Sequence, residues 1–149
     1  MTSLTVTGKS YLNTINCAEN PQLTTFYCYN NALTELDLTG NTGLKDLRCY
    51  GNANLATIKG IADCKAIQKL YCYSCELTDL SAVSGMTNID YLSCYSNKLT
   101  SLTVSNKSKL TALYCHNNPN ITSLTVTNNA ALKTLDCKNN TSMTTANLL

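Results

Sequence analysis

The stretch LKDLRCYGN, residues 44–52, decides how the chain is read. Its apolar positions are Leu44, Leu47 and Cys49, and Asn52 closes it, giving L-x-x-L-x-C-x-x-N. The Leu47-x-Cys49 alternation is that of a short strand with one side facing inward. Asn52 then turns the chain, and in stacked coils its amide can satisfy backbone groups of neighbouring turns. The same pattern returns as LTTFYCYNN, IQKLYCYSC, IDYLSCYSN, LTALYCHNN and LKTLDCKNN. The cysteines concerned are Cys28, Cys49, Cys72, Cys94, Cys115 and Cys137, and subtraction gives intervals of 21, 23, 22, 21 and 22 residues. A nearly fixed period of this size is the signature of a solenoid.

Each coil carries the pattern a second time. After Asn31 come Leu33, Leu36, Leu38 and Asn41 (LTELDLTGN), and the half-unit recurs as LTSLTVSN at Leu99–Asn106 and ITSLTVTNN at Ile121–Asn129. With these motifs the sequence resembles the leucine-rich repeat family along nearly its whole length. The nested spacing is similar to the bacterial class named IRREKO, with unit LxxLxCxxNxLxxLDLxxN. Two middle coils, Ala56–Leu70 and Leu77–Leu92, resemble internalin-like repeats instead. Their convex side is expected to be a short 3₁₀ turn, packed through Ile61 and Cys64 or through Val83 and Met86. The resemblance implies a leucine-rich repeat right-handed solenoid. It would have a parallel β-sheet on the concave face, short strands or 3₁₀ turns on the convex side, and little α-helix. Residues 1–149 are read as a single leucine-rich repeat domain of about 6–7 coils.

The first coil poses a question of phase. Cys17 precedes Cys28 by 11 residues, half a coil, so spacing places Cys17 on the convex side and Val6 on the concave side. Likeness says the opposite, since SLTV at Ser3–Val6 matches the convex halves Ser101–Val104 and Ser123–Val126. Spacing is the stronger guide, because a coil must close to stack.

Composition excludes several roles. A net charge of +2 and a pI near 8.0 argue against a nucleic-acid binder, which would carry a dense basic stripe. No apolar run approaches the ~20 residues that span a bilayer, so no membrane insertion is expected. The opening MTSLTVTGKS lacks the basic and apolar regions of a secretory leader. Both MTSLTV and SMTTANLL read as ordinary repeat material, whereas solenoids need polar caps. The expectation is a fragment or domain of a longer protein.

Cys72-x-x-Cys75 invites a zinc or redox reading. However, no second C-x-x-C exists, and the single histidine, His116, lies two coils away. Cys72 is an inward strand residue, and Cys75 takes the place held elsewhere by Asn31, Asn52, Asn97, Asn118 and Asn140. Cys64 aligns with Met86, another core position. Free cysteine packs as a small hydrophobe, and side-by-side thiols in a parallel sheet are poorly aimed for a strain-free bridge. The expectation is a reduced, dry cysteine ladder with no metal and no cofactor.

If the cysteines point in, their neighbours point out. The outward set includes Tyr27, Tyr29, Arg48, Tyr50, Lys69, Tyr71, Tyr73, Tyr91, Tyr95, Tyr114 and His116. Eight of the nine tyrosines fall here, all but Tyr11. Tyr29, Tyr50, Tyr73 and Tyr95 form one column, continued by His116 and Lys138. An exposed aromatic column suggests ligand binding, with Arg48, Asp46, Lys69 and Asp136 supplying specificity. A second reading stands beside it: stacked tyrosines also stabilise a sheet. The convex Thr103, Ser105, Thr125 and Thr127 read as β-formers on a solvated face.

No catalytic constellation is evident. His116 has Tyr114 nearby but no evident acid partner, and there is no glycine-rich phosphate loop, HExxH or GxSxG. The chain is therefore expected to be a non-catalytic recognition module for a protein or glycan ligand. The family resemblance implies a secreted or cell-surface setting and contacts with host or neighbouring-cell proteins. The alternative is a structural solenoid that stacks end to end into homo-oligomers or filaments.

Overall fold

A computed structural model describes residues 1–148. In chain order the strands are β1 (Ser3–Thr5), β2 (Thr25–Tyr27), β3 (Glu35–Asp37), β4 (Asp46–Arg48), β5 (Thr57–Lys59) and β6 (Lys69–Tyr71). They continue with β7 (Tyr91–Ser93), β8 (Ser101–Ser105), β9 (Ala112–Tyr114), β10 (Ser123–Thr127), β11 (Thr134–Asp136) and β12 (Thr145–Leu148). Two 3₁₀ turns, Ile61–Asp63 and Ser81–Gly85, interrupt the series, and the described residues contain no α-helix. The fold is a parallel β-solenoid of the leucine-rich repeat type. A seven-stranded sheet, ordered β1-β2-β4-β6-β7-β9-β11, runs along one side. The other side carries two shorter sheets, β3-β5 and β8-β10-β12, with the 3₁₀ turns between them.

Strand register reproduces the cysteine intervals. Thr25 pairs with Asp46, Asp46 with Lys69, Lys69 with Tyr91, Tyr91 with Ala112 and Ala112 with Thr134. Pairing continues one step past each strand, because the cysteine N–H donates to the next coil: Cys28 to Arg48 O at 2.8 Å and Cys94 to Tyr114 O at 2.8 Å. The side chains at Phe26, Leu47, Leu70, Leu92 and Leu113, with Cys28, Cys49, Cys72, Cys94 and Cys115, are fully buried. Each buried Leu contributes roughly 1.5–3 kcal/mol, so the inward row holds the stack together. All nine cysteines are unpaired thiols. Burial pushes the thiols of Cys17 and Cys75 up to about 11, and those of Cys64 and Cys115 up to about 12. Cys137 is only half-buried, since its coil is the last described one to add a strand to this sheet.

Buried asparagines join the coils. Asn52 Nδ2 donates to Cys28 O at 3.0 Å and to Cys49 O at 2.7 Å, and its Oδ1 accepts Leu33 N–H at 3.1 Å. Asn97 does the same with Cys72, Cys94 and Leu77, and Asn118 with Cys94, Cys115 and Leu99. One side chain thus satisfies three buried backbone groups on two coils, leaving none to pay the desolvation cost. Two residues after each cysteine the backbone turns through the left-handed region, at Asn30, Gly51, Ser74, Ser96, Asn117 and Asn139. At Gly51 a Cβ would lie 2.3 Å from Asn30 Oδ1, so a side chain there would displace the Asn30 amide, and glycine leaves it room.

The first coil follows spacing. Val6 N–H donates to Tyr27 O at 2.8 Å, the same bond that the ladder cysteines make, and Leu4 pairs with Phe26. Cys17 is buried on the opposite side, where Asn16 bridges Asp37. SLTV therefore occurs on both sides of the solenoid, because only its alternation matters to either sheet. The internalin-like coils form the expected 3₁₀ turns, with Cys64, Val83 and Met86 buried and Ile61 packed at the margin.

Candidate functional site

The outward positions of the long sheet form three columns. In the first, Tyr29, Tyr50, Tyr73, Tyr95 and His116 stack face to face. Successive ring centroids are 4.6, 4.4, 4.4 and 4.4 Å apart, and the planes lie within 10° of parallel. Parallel register forces this, since equivalent residues of adjacent strands stand ≈ 4.7–4.9 Å apart. The column was expected to be exposed. Instead all eight tyrosines of the sheet are half-buried, and in the first column each ring covers the facing side of its neighbour. Burial first, then the flanking Tyr95 and Tyr50 phenols, pushes the Tyr73 hydroxyl well above its ordinary value.

The second column is Tyr27, Arg48, Tyr71, Ser93, Tyr114 and Asp136. The Arg48 guanidinium lies between two rings, 4.5 Å from the Tyr27 centroid and 4.8 Å from that of Tyr71. It also forks onto Asp46, with Nε 3.1 Å from Oδ1 and Nη2 3.0 Å from Oδ2, and the Tyr27 hydroxyl donates to the same Oδ2 at 3.0 Å. These contacts hold Arg48 in its charged form. The third column runs Thr25, Asp46, Lys69, Tyr91, Ala112 and Thr134. Lys69 Nζ sits 3.0 Å from Asp90 Oδ1, which raises its pKa. Arg48, Asp46, Lys69 and Asp136 were read as supplying specificity. All four are engaged in intramolecular pairs, so the face is close to neutral.

The end of the first column differs from the sequence reading in one respect. His116 does have an acid beside it, for Nδ1 lies 3.2 Å from Asp136 Oδ2. Its N–H is not aimed at that oxygen, and the buried Nδ1 makes no hydrogen bond among the described residues. Lys138 Nζ reaches the same oxygen at 3.2 Å. Burial opposes ionisation of Asp136, but the Lys138 backbone N–H and ammonium, together with His116, hold its carboxyl below the usual range. Asp90 and Asp136 were missed as partners. Their signal is a carboxylate about one coil after a cation or imidazole, one residue back from register for Asp90 and one column over for Asp136.

Four grooves, of about 420, 590, 100 and 170 Å³, lie on the convex side and at the last coil, and none includes an outward residue of the tyrosine face. The face is aromatic and charge-paired.

No protein-family model matches the sequence, and no curated protein matches it. Among solved structures the fold is similar to the functional domain of InlJ from Listeria monocytogenes, which includes a cysteine ladder. The TM-score is 0.56 at 23% identity, over 94% of this chain and 40% of that one. The chain therefore spans about two-fifths of that structure's length, and the likeness is one of fold.

Proposed function

We propose that the chain is a non-catalytic recognition module that binds a protein or glycan through its tyrosine face. One observation carries the reading. Eight tyrosines are carried on one seven-stranded sheet, most of them stacked on a neighbour, with Arg48 and Lys69 already paired to Asp46 and Asp90. Tyrosine offers large contact area at low entropic cost, and a pre-ordered surface pays less on binding. The four grooves of the convex side and last coil do not open onto this face, which favours a macromolecule over a small ligand. Because Tyr50, Tyr73 and Tyr95 use both ring faces on their neighbours, sugar stacking has little to grip there, and a protein fits it better than a glycan. Display outside a bacterial cell, as part of a longer protein, accords with the InlJ-like fold.

The test compares binding on a combined protein and glycan array. One variant has Tyr50, Tyr73, Tyr91, Tyr95 and Tyr114 replaced by Ser, a second is Lys69→Glu, and Thr103→Glu on the opposite sheet is the control. The expected result is loss of array binding in the first two and none in the control. Unchanged binding by the folded first two variants would overturn the reading.

A second reading is end-to-end stacking. Its support is that Leu4, Leu12 and Ile15 at one end of the described stack, and Leu132, Leu135, Cys137 and Met143 at the other, are inward-facing yet only partly covered. Light scattering behind size-exclusion chromatography, over a concentration series, should then show mass growing with concentration. A constant monomer mass excludes it.

A further inference from the structure

The first column sets four phenols in one line. Tyr29, Tyr50, Tyr73 and Tyr95 follow one another at 4.6, 4.4 and 4.4 Å between ring centroids, with planes within 10° of parallel. Their hydroxyls run along the same line, since the Tyr50 and Tyr95 phenols flank that of Tyr73. Parallel rings whose hydroxyls lie side by side also face each other ortho carbon to ortho carbon. The other tyrosine contacts of the sheet lose this alignment. Tyr27 and Tyr29 are 44° apart at 6.4 Å, Tyr91 and Tyr114 are 40° apart at 5.8 Å, and Tyr71 and Tyr91 are 25° apart at 4.7 Å. Tyr11 lies off the sheet and is 95% exposed.

A phenol gives up one electron and its proton to become a phenoxyl radical, whose ortho carbons carry unpaired spin. Two such radicals normally meet by diffusion. In the column they are already in contact, and partners held together react far faster than free ones. The thiols, which would compete for oxidant, sit on the opposite side of the strands, where Cys28, Cys49, Cys72 and Cys94 are fully buried. The four phenols are half-buried, so part of each residue stays open to solvent. We propose that the first column is a site of oxidative cross-linking, at which a peroxidase using hydrogen peroxide converts adjacent tyrosines to dityrosine. The peroxide takes one electron and one proton from each of two phenols and leaves as two waters. The two radicals join through their ortho carbons. Each of those carbons then releases its hydrogen as a proton, the oxygen takes one up, and both rings are aromatic again. The new bond spans 21, 23 or 22 residues, which is one coil. It constrains the unfolded chain as a disulfide of that loop length does, a staple that side-by-side thiols are poorly aimed to make. This chemistry needs no ligand and is independent of recognition.

The test treats the full chain, dilute enough to suppress dimers, with a haem peroxidase and limiting hydrogen peroxide. Dityrosine is read by its fluorescence and by a monomer two hydrogens lighter. Trypsin cuts after Arg48 and Lys59, so Tyr50 is the only tyrosine of its peptide. The expected products join that peptide to Tyr29 or Tyr73, while Tyr11 stays unlinked within the monomer. The double variant Tyr50→Phe, Tyr95→Phe keeps every ring but leaves no two phenols adjacent in the column. It should lower the dityrosine yield of the monomer several-fold, and Tyr11→Phe should leave that yield unchanged. Four results overturn the proposal: links from Tyr11 within the monomer at comparable yield, dimers alone, thiols consumed with no dityrosine formed, or an undiminished yield in the double variant.

Discussion

Cys75 Sγ lies 3.5 Å from the carbonyl oxygen of Cys49, in the place where every neighbouring coil puts an asparagine amide. The thiol donates weakly and to one coil's carbonyl at a time, and also touches Tyr73 O at 3.5 Å. Asparagine in this position serves three groups. Cys75→Asn is therefore expected to stabilise the chain by about 1–2 kcal/mol, read as a rise in the urea midpoint. Asn97→Ala, which strands Cys72 O, Cys94 O and Leu77 N–H, is expected to cost about 3 kcal/mol or more.

The thiols set a limit at high pH. Burial raises the folded-state pKa of Cys28, Cys49, Cys72, Cys75, Cys94 and Cys115 above the ordinary value of 9.0. A raised pKa means that the folded state holds its proton after the unfolded state has lost it. The stabilisation is complete below pH 9 and is lost as pH rises from 9 toward the folded values. At pH 10 each such thiol costs on the order of 1 kcal/mol, and the six together cost several kcal/mol. That is comparable with the whole stability of a domain, ~5–15 kcal/mol. Urea melts under reducing conditions at pH 7, 8, 9 and 10 should show a flat stability to near pH 8.5 and then a steep fall. A stability that holds level to pH 10 would mean the thiols are not buried together.

Removing one ring from the first column breaks two parallel contacts, each worth roughly 0.5–1.5 kcal/mol beyond area. Tyr73→Leu is expected to destabilise by about 1–3 kcal/mol. Tyr29→Leu, at the end of the column, should cost less. A double-mutant cycle on Tyr50 and Tyr73 should give a favourable coupling, while one on Tyr50 and Tyr114 should give none.

Lys107 holds an unusual place for a lysine. It is 2% exposed, and its Nζ donates to Ser84 O at 2.7 Å at the end of a 3₁₀ turn. Its position follows Asn20, Asn41, Cys64 and Met86 at one-coil intervals, and its own N–H is taken by Asn129 Oδ1 at 2.9 Å. The lysine bridges a 3₁₀ coil and a β coil. Burial lowers its pKa, and no carboxylate pairs with it in the described structure. Lys107→Met removes the cost of the buried charge and one hydrogen bond together. The expected net change is within about 1 kcal/mol, measured by denaturant unfolding at pH 7.

The inward half of this structure was legible in the sequence because it depends on period alone. Cys28 to Cys115 lie at the interval that closes a coil, and the register follows from that interval. Spacing also settled Val6 and Cys17, where likeness to other SLTV segments pointed the wrong way. The outward half was legible only as columns. That Tyr50 stands beside Tyr73 follows from register, but that Arg48 lies between Tyr27 and Tyr71 depends on rotamers. The same holds for His116 against Asp136, a contact that crosses from one column to the next.

The coils differ in length by up to two residues, yet no strand of the long sheet slips. The step from Asp46 to Lys69 is 23 residues and includes the turn Ile61–Asp63, while the step from Tyr91 to Ala112 is 21 and includes β8. Length is thus absorbed entirely on one side of the molecule. A single-residue insertion beside Ile61 would leave every ring of the tyrosine face where it stands. The same insertion between Leu70 and Cys72 would invert that strand, sending tyrosines inward and a thiol outward. The two sides therefore tolerate heritable length change very differently, and the face with the tyrosines is the one where the reading frame of the coil is protected.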